Sequence, residues 1–237
     1  MNPWRFQNLL SHLRSLRDPR AIEGMCRFGI VTKISLGISA PVLKKLAKEI
    51  GTDHRLALQL WKTKILEARL LASLIDDPEK VNEHQMEKWA GDFDNWAVCD
   101  CCCSYLFDKT PFAWAKAVEW SGREEEFVKR AGFVLMAVLA VHNKTAADIR
   151  YERFFRLIER ESTDERNFVK KGVNWALRQI GKRNLSLHAK AITTARSIKK
   201  SPSSSARWIA ADALRELTGP QVRQRLQRKE LRIKPPR

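Results

Sequence analysis

Apolar residues recur three and four positions apart along almost the whole chain, while runs that alternate every second residue are nearly absent. That spacing predicts helices over residues 4–16, 40–50, 54–75, 83–91, 94–107, 111–120, 124–142, 147–160, 164–183, 185–199 and 205–217. The links are short, as at Gly51-Thr52-Asp53, Asp76-Asp77-Pro78 and Ser121-Gly122, with a longer break at Ser201-Pro202-Ser203-Ser204. Short links force consecutive helices to pack side by side. A weak repeat points the same way: Ala176-Leu177-Arg178-Gln179-Ile180 returns 37 residues later as Ala213-Leu214-Arg215-Glu216-Leu217, and Glu67-Ala68-Arg69-Leu70-Leu71 has a related texture. The expected architecture is a curved all-α solenoid of stacked helix pairs with a concave groove, one domain over residues 1–218. Beyond Gly219-Pro220 the chain is rich in Arg and Lys, poor in core residues, and ends in Pro235-Pro236-Arg237, so residues 219–237 read as a disordered basic arm.

One helix stands out. Between Asn167 and Arg183, Val169, Val173, Ala176, Leu177 and Ile180 form a buried stripe, and Lys171, Trp175, Arg178 and Lys182 fall on the opposite face. An indole among cations suits contact with sugar, base or phosphate. The alternative is a Trp175 buried against a neighbouring helix, with solvated cations around it.

The charge balance bears on that choice. The 237 residues carry 44 Lys and Arg against 27 Asp and Glu, a formal net charge of +17, well beyond what solubility requires. A polyanionic partner is expected. No stretch approaches the ~18 apolar residues of a membrane span, the most apolar run being 131–141, and the N-terminus has no apolar signal region. Nucleic acid is favoured over lipid, in the cytoplasm, with no membrane association. A hydrophobic content of 44% supports a folded chain.

Cys99, Cys101, Cys102 and Cys103 crowd one segment, but successive helical positions point in diverging directions and no spaced CxxC pair or nearby histidine completes a tetrahedral site. Buried thiols in a reducing compartment are expected, with no metal and no cofactor. Walker, dinucleotide-binding, HExxH and GxSxG motifs are absent, which removes local support for nucleotide hydrolysis, redox chemistry and serine hydrolysis.

What remains is Asp92-Phe93-Asp94-Asn95-Trp96-Ala97-Val98-Cys99-Asp100. With Asp94 as helix cap, Trp96 and Asp100 are one turn apart on one face. A carboxylate aimed at DNA repels phosphate, so its use there is to meet positive charge developing on a substrate; the alternative is a structural Asp100 paired with an arginine or capping a helix. Arg130, in Phe127-Val128-Lys129-Arg130-Ala131-Gly132-Phe133, enters an apolar helix and is open either to an Asp100 ion pair or to a phosphate.

These segments resemble the AlkD-like DNA alkylation repair proteins, which are HEAT-like-repeat DNA glycosylases. The resemblance runs from about Arg27-Phe28-Gly29-Ile30 to Leu217. Its most specific pieces are Asn95-Trp96-Ala97-Val98-Cys99-Asp100, Lys129-Arg130-Ala131-Gly132 and Phe168-Val169-Lys170-Lys171-Gly172-Val173-Asn174-Trp175-Ala176-Leu177-Arg178. It implies a HEAT-like solenoid with a basic groove, and a lesion-facing set of Trp96, Asp100, Arg130 and Trp175, with Lys129 or Arg130 as its cation. Lys129, Lys171, Arg178 and Lys182 are the expected DNA-binding residues. The implied reaction is hydrolytic release of cationic alkylated purines, of the 7-methylguanine or 3-methyladenine type, from double-stranded DNA. The lesion is held in the groove without an enclosed base-flipping pocket, in keeping with a monomer. Alkylation at N7 or N3 already weakens the glycosidic bond, so the protein need only stabilise an oxocarbenium-like sugar with a carboxylate and aromatic faces. Two other readings fit the fold: a DNA-binding relative without catalysis, and a HEAT-type protein scaffold, the second leaving the net charge unexplained.

Overall fold

The computed structural model describes residues 4–233. Among them are fourteen α-helices, one 3-10 turn and no strand. They are α1 (Phe6–Ser15), α2 (Pro19–Arg27), α3 (Ala40–Ile50), α4 (His54–Lys62), α5 (Leu66–Ile75), α6 (Glu83–Gly91), α7 (Trp96–Tyr105), α8 (Ala113–Trp120), α9 (Glu126–His142), α10 (Asp148–Glu161), α11 (Asn167–Gly181), α12 (Leu185–Ile198), α13 (Ser204–Leu217) and α14 (Pro220–Ile233), with the 3-10 turn at Phe107–Lys109. The chain groups into two compact units, Met1–Ala113 and Trp114–Arg237.

In the first unit α3, α5 and α7 pack in succession, with α4 laid against α5 and α1 against both. Its core is aromatic: the Trp61 and Trp89 rings stack at 3.8 Å, and Phe93 and Phe107 close around them. The helix expected over 54–75 is two. Lys64 adopts a left-handed φ of 58°, and the Thr63 hydroxyl bonds Leu60 O at 2.7 Å, ending α4 before Ile65 starts α5. Apolar residues continue in register on both sides of the break, since Leu60, Trp61, Ile65 and Leu66 are all buried, and this is why the pattern reads as one helix.

The second unit is a regular stack of helix pairs. α9, α11 and α13 pack in one layer, α10, α12 and α14 in the other. The hydrogen bonds Arg130 to Phe168 O, Asn174 to Asp212 and Arg178 to Glu216 each join residues 38 apart, from α9 to α11 and from α11 to α13. That separation is the structural counterpart of the sequence repeat. Gly132 and Gly181 mark the closest approaches: a Cβ on Gly132 would lie 2.4 Å from Ser121 N, and one on Gly181 would meet Ala191 Cβ at 2.8 Å.

The segment after Gly219, expected as a disordered arm, is instead helix α14 as far as Ile233; its Pro235-Pro236-Arg237 end lies outside the described residues. Leu226 docks in the core, and Lys229 Nζ donates to Lys182 O and Arg183 O at 3.2 Å each. These carbonyls follow the end of α11, where a cation meets the negative pole of the helix. Apart from Leu231 the exposed residues of α14 are mostly Arg and Gln, a composition that reads as coil.

Candidate functional site

Asn95, not Asp94, caps α7: its side-chain oxygen accepts from Ala97 N at 3.0 Å and Val98 N at 3.1 Å. Asp94 has another task. The buried Arg69 guanidinium, 3% exposed, clasps both Asp94 carboxylate oxygens at 2.8 and 2.9 Å and bonds Asp92 O at 3.0 Å. Asn95 Nδ2 in turn donates to Asp94 at 2.7 Å. A chain of charge-assisted bonds from α5 therefore fixes where α7 begins, and with it the residues one and five positions beyond the cap.

Those residues are Trp96 and Asp100, both half-buried. The Trp96 indole Nε1 donates to Phe28 O at 3.0 Å, which orients the ring against the loop that follows α2. The opposite face of α7 is core, with Val98, Cys99, Cys102 and Cys103 buried. Burial pushes the Cys101 thiol up to about 12 and holds Cys102 and Cys103 well above the ordinary thiol range, which favours the neutral thiol over the thiolate at each. No cluster of His, Cys, Asp or Glu suited to a metal occurs among the described residues.

The other candidates lie in the second unit. Arg130 on α9 is 6% exposed and donates to Phe168 O at 2.7 Å on α11. Gly172 packs beside it: a Cβ there would rest in ordinary contact with Arg130 Cγ and Phe133 Cβ at 3.5 Å. Its neighbour Lys129 is held by Glu161 at 2.6 Å and Asp164 at 3.5 Å. Burial pushes the Asp164 carboxyl up, but bonds from Arg166 and the charges of Arg166 and Lys129 outweigh it and hold Asp164 below the usual range.

On α11 the stripe Val169, Val173, Ala176, Leu177 and Ile180 is fully buried. Trp175 is half-buried, between the two placements open to it in the sequence, and in the amide orientation that satisfies both groups its Nε1 donates to Gln179 Oε1 at 2.9 Å. Lys171 is exposed. Arg178 and Lys182, expected as phosphate ligands, both bond Glu216 on α13. Burial raises the Glu216 carboxyl, yet the bonds from Lys182 and Arg178 prevail and hold it below its ordinary value. Of the four expected DNA-binding cations, Lys129, Arg178 and Lys182 thus have carboxylate partners: Lys129 at the end of α10 and in the loop after it, Arg178 and Lys182 on α13.

Against known proteins, a family model described as DNA alkylation repair enzyme matches residues 9–217. An uncharacterized protein of Listeria innocua is 25% identical over 199 residues, covering 82% of this chain and 87% of its own. An uncharacterized protein of Listeria monocytogenes is 23% identical over the same length, with the same shares covered. Among solved structures, one described as a new family of proteins related to the HEAT-like repeat DNA glycosylases, with affinity for branched DNA structures, matches with a TM-score of 0.75 and 18% identity, covering 91% of this chain and 97% of its own. The fold is the HEAT-like helical repeat of those proteins.

Proposed function

The chain belongs to the family of DNA alkylation repair enzymes, and on that premise we propose that it is a DNA glycosylase hydrolysing the N-glycosidic bond of cationic alkylated purines in double-stranded DNA. The observation that carries this reading is the placement of Trp96 and Asp100 one turn apart on a helix whose start is fixed by Arg69, Asp94 and Asn95. A preorganised carboxylate stabilises the positive charge that grows on the deoxyribose as the bond breaks, and a neighbouring indole face adds cation attraction as that charge develops. Asp100 also orients the attacking water. A cationic lesion leaves as a neutral base and needs no general acid, so one carboxylate suffices. In the second unit the half-buried Trp175 offers an aromatic face to the DNA backbone and the exposed Lys171 contacts phosphate, whereas Arg130, buried and bonded to Phe168 O, holds α9 to α11. No cofactor or metal is required, and a monomer performs the reaction. Incubating the protein with a duplex containing 7-methylguanine and measuring free base tests the reading directly; release at the rate of the protein-free duplex rejects it.

A second reading has its own support in the structural relative described by its affinity for branched DNA. In it the chain binds DNA without releasing a base, and duplex binding with no free 7-methylguanine is the result that selects it. Either reading predicts a response at Glu216. Glu216→Gln releases Lys182 to phosphate and leaves Arg178 only Asp212 at 3.7 Å, so the log-log salt slope for duplex binding should steepen by about one to two. An unaltered slope excludes these two cations from the DNA contact.

A further inference from the structure

The loop between α2 and α3 exposes three large apolar side chains within seven residues: Phe28 is 74% exposed, Val31 69% and Ile34 47%. Scattered surface apolars need no explanation, whereas a cluster on one short loop does. The loop is anchored at both ends. Gly29, at φ 72°, ends α2 with bonds from Phe28 N and Ile30 N to Met25 O and from Gly29 N to Cys26 O. Phe28 O accepts the Trp96 indole and Ile34 O accepts Leu66 N, both at 3.0 Å. Directly after the loop, the fully buried Glu67 carboxylate receives Ser35 Oγ and Leu36 N at 2.8 Å and Gly37 N at 2.7 Å. A buried carboxylate committed to holding the turn at residues 35–37 fixes where the loop rejoins the fold.

Arg27 and Lys33, both exposed, flank the apolar tip. A partner that fits offers anions at its rim and an apolar interior between them, which describes both a base-pair stack between phosphate rows and an anionic lipid surface. The Trp96 bond decides between them, because the loop is joined through Phe28 to the helix that carries Asp100. We infer that Phe28 and Val31 form a wedge that inserts between base pairs in the minor groove beside the lesion, with Arg27 and Lys33 on the flanking phosphates. Partial unstacking there bares the sugar carbon under attack without requiring an enclosing pocket. The inference rests on the reading of α7 as DNA-facing.

The test is a duplex carrying 2-aminopurine next to 7-methylguanine, whose fluorescence rises when the base unstacks. Saturating native protein should raise it about twofold or more, and the double variant Phe28→Ala, Val31→Ala should lose that rise while retaining duplex binding within about tenfold. Both side chains are exposed, so the variant should melt with the native protein, and Phe28→Leu should restore most of the signal. Native protein that binds the duplex without a fluorescence rise overturns the wedge and leaves the glycosylase reading standing. Unstacking without base release supports the wedge while rejecting catalysis. An equal rise in the double variant overturns the wedge, as does a loss confined to binding of phosphatidylserine vesicles or to self-association in sedimentation.

Discussion

Asp100→Asn is expected to lower the rate of 7-methylguanine release by about 10²-fold or more, the scale of losing one preorganised electrostatic stabiliser. The substitution preserves shape and hydrogen-bonding capacity and removes only the charge. Duplex affinity should stay level or tighten slightly, because a group that repels phosphate has been neutralised. A structural Asp100 gives the opposite pattern, with earlier melting and full activity per folded molecule. Folded Asp100→Asn protein releasing base at the native rate sinks the catalytic assignment.

Gly132→Ala should destabilise the fold by about 3 kcal/mol, although Ala is the better helix former by about 1 kcal/mol. The new Cβ would stand 2.4 Å from Ser121 N and 2.9 Å from Ser121 Cα and Trp120 C. All three are backbone atoms, so no side-chain rotation relieves the contact, and Trp120 and Ser121 are fully buried. α9 must then move away from the end of α8. Thermal unfolding should shift down by about 6 to 12 °C. A variant that melts with or above the native protein shows that helix propensity prevails and that the α8–α9 contact yields.

Most helices were legible because each repeat must bury one stripe, and that need writes a 3.6-residue period into the sequence. Where burial is slight the signal fades. α2 contains no fully buried residue, so periodicity passes over it, yet the Asp18 cap and Pro19 at its first position mark its start. α14 is held by Leu226 and by Lys229 reaching the end of α11, a contact that its composition gives no hint of. In the candidate site, the one-turn spacing of Trp96 and Asp100 was legible, while the Arg69–Asp94 clasp was not, because its partners are 25 residues apart. The same reasoning explains the cations. Lys182 on the sequence looks like a phosphate ligand, and only its neighbour one repeat on, Glu216, reveals how much of its charge is already engaged.

Among the described residues α14 covers α12 and α13, turning Leu226 inward and Arg223, Arg225 and Arg228 to water. Because Lys229 also reaches the Lys182 and Arg183 carbonyls just past α11, loosening α14 would at once bare Leu226 and leave those two carbonyls without the lysine. The end of α11 and the whole of α14 should therefore open as one unit and lose amide hydrogen-exchange protection together.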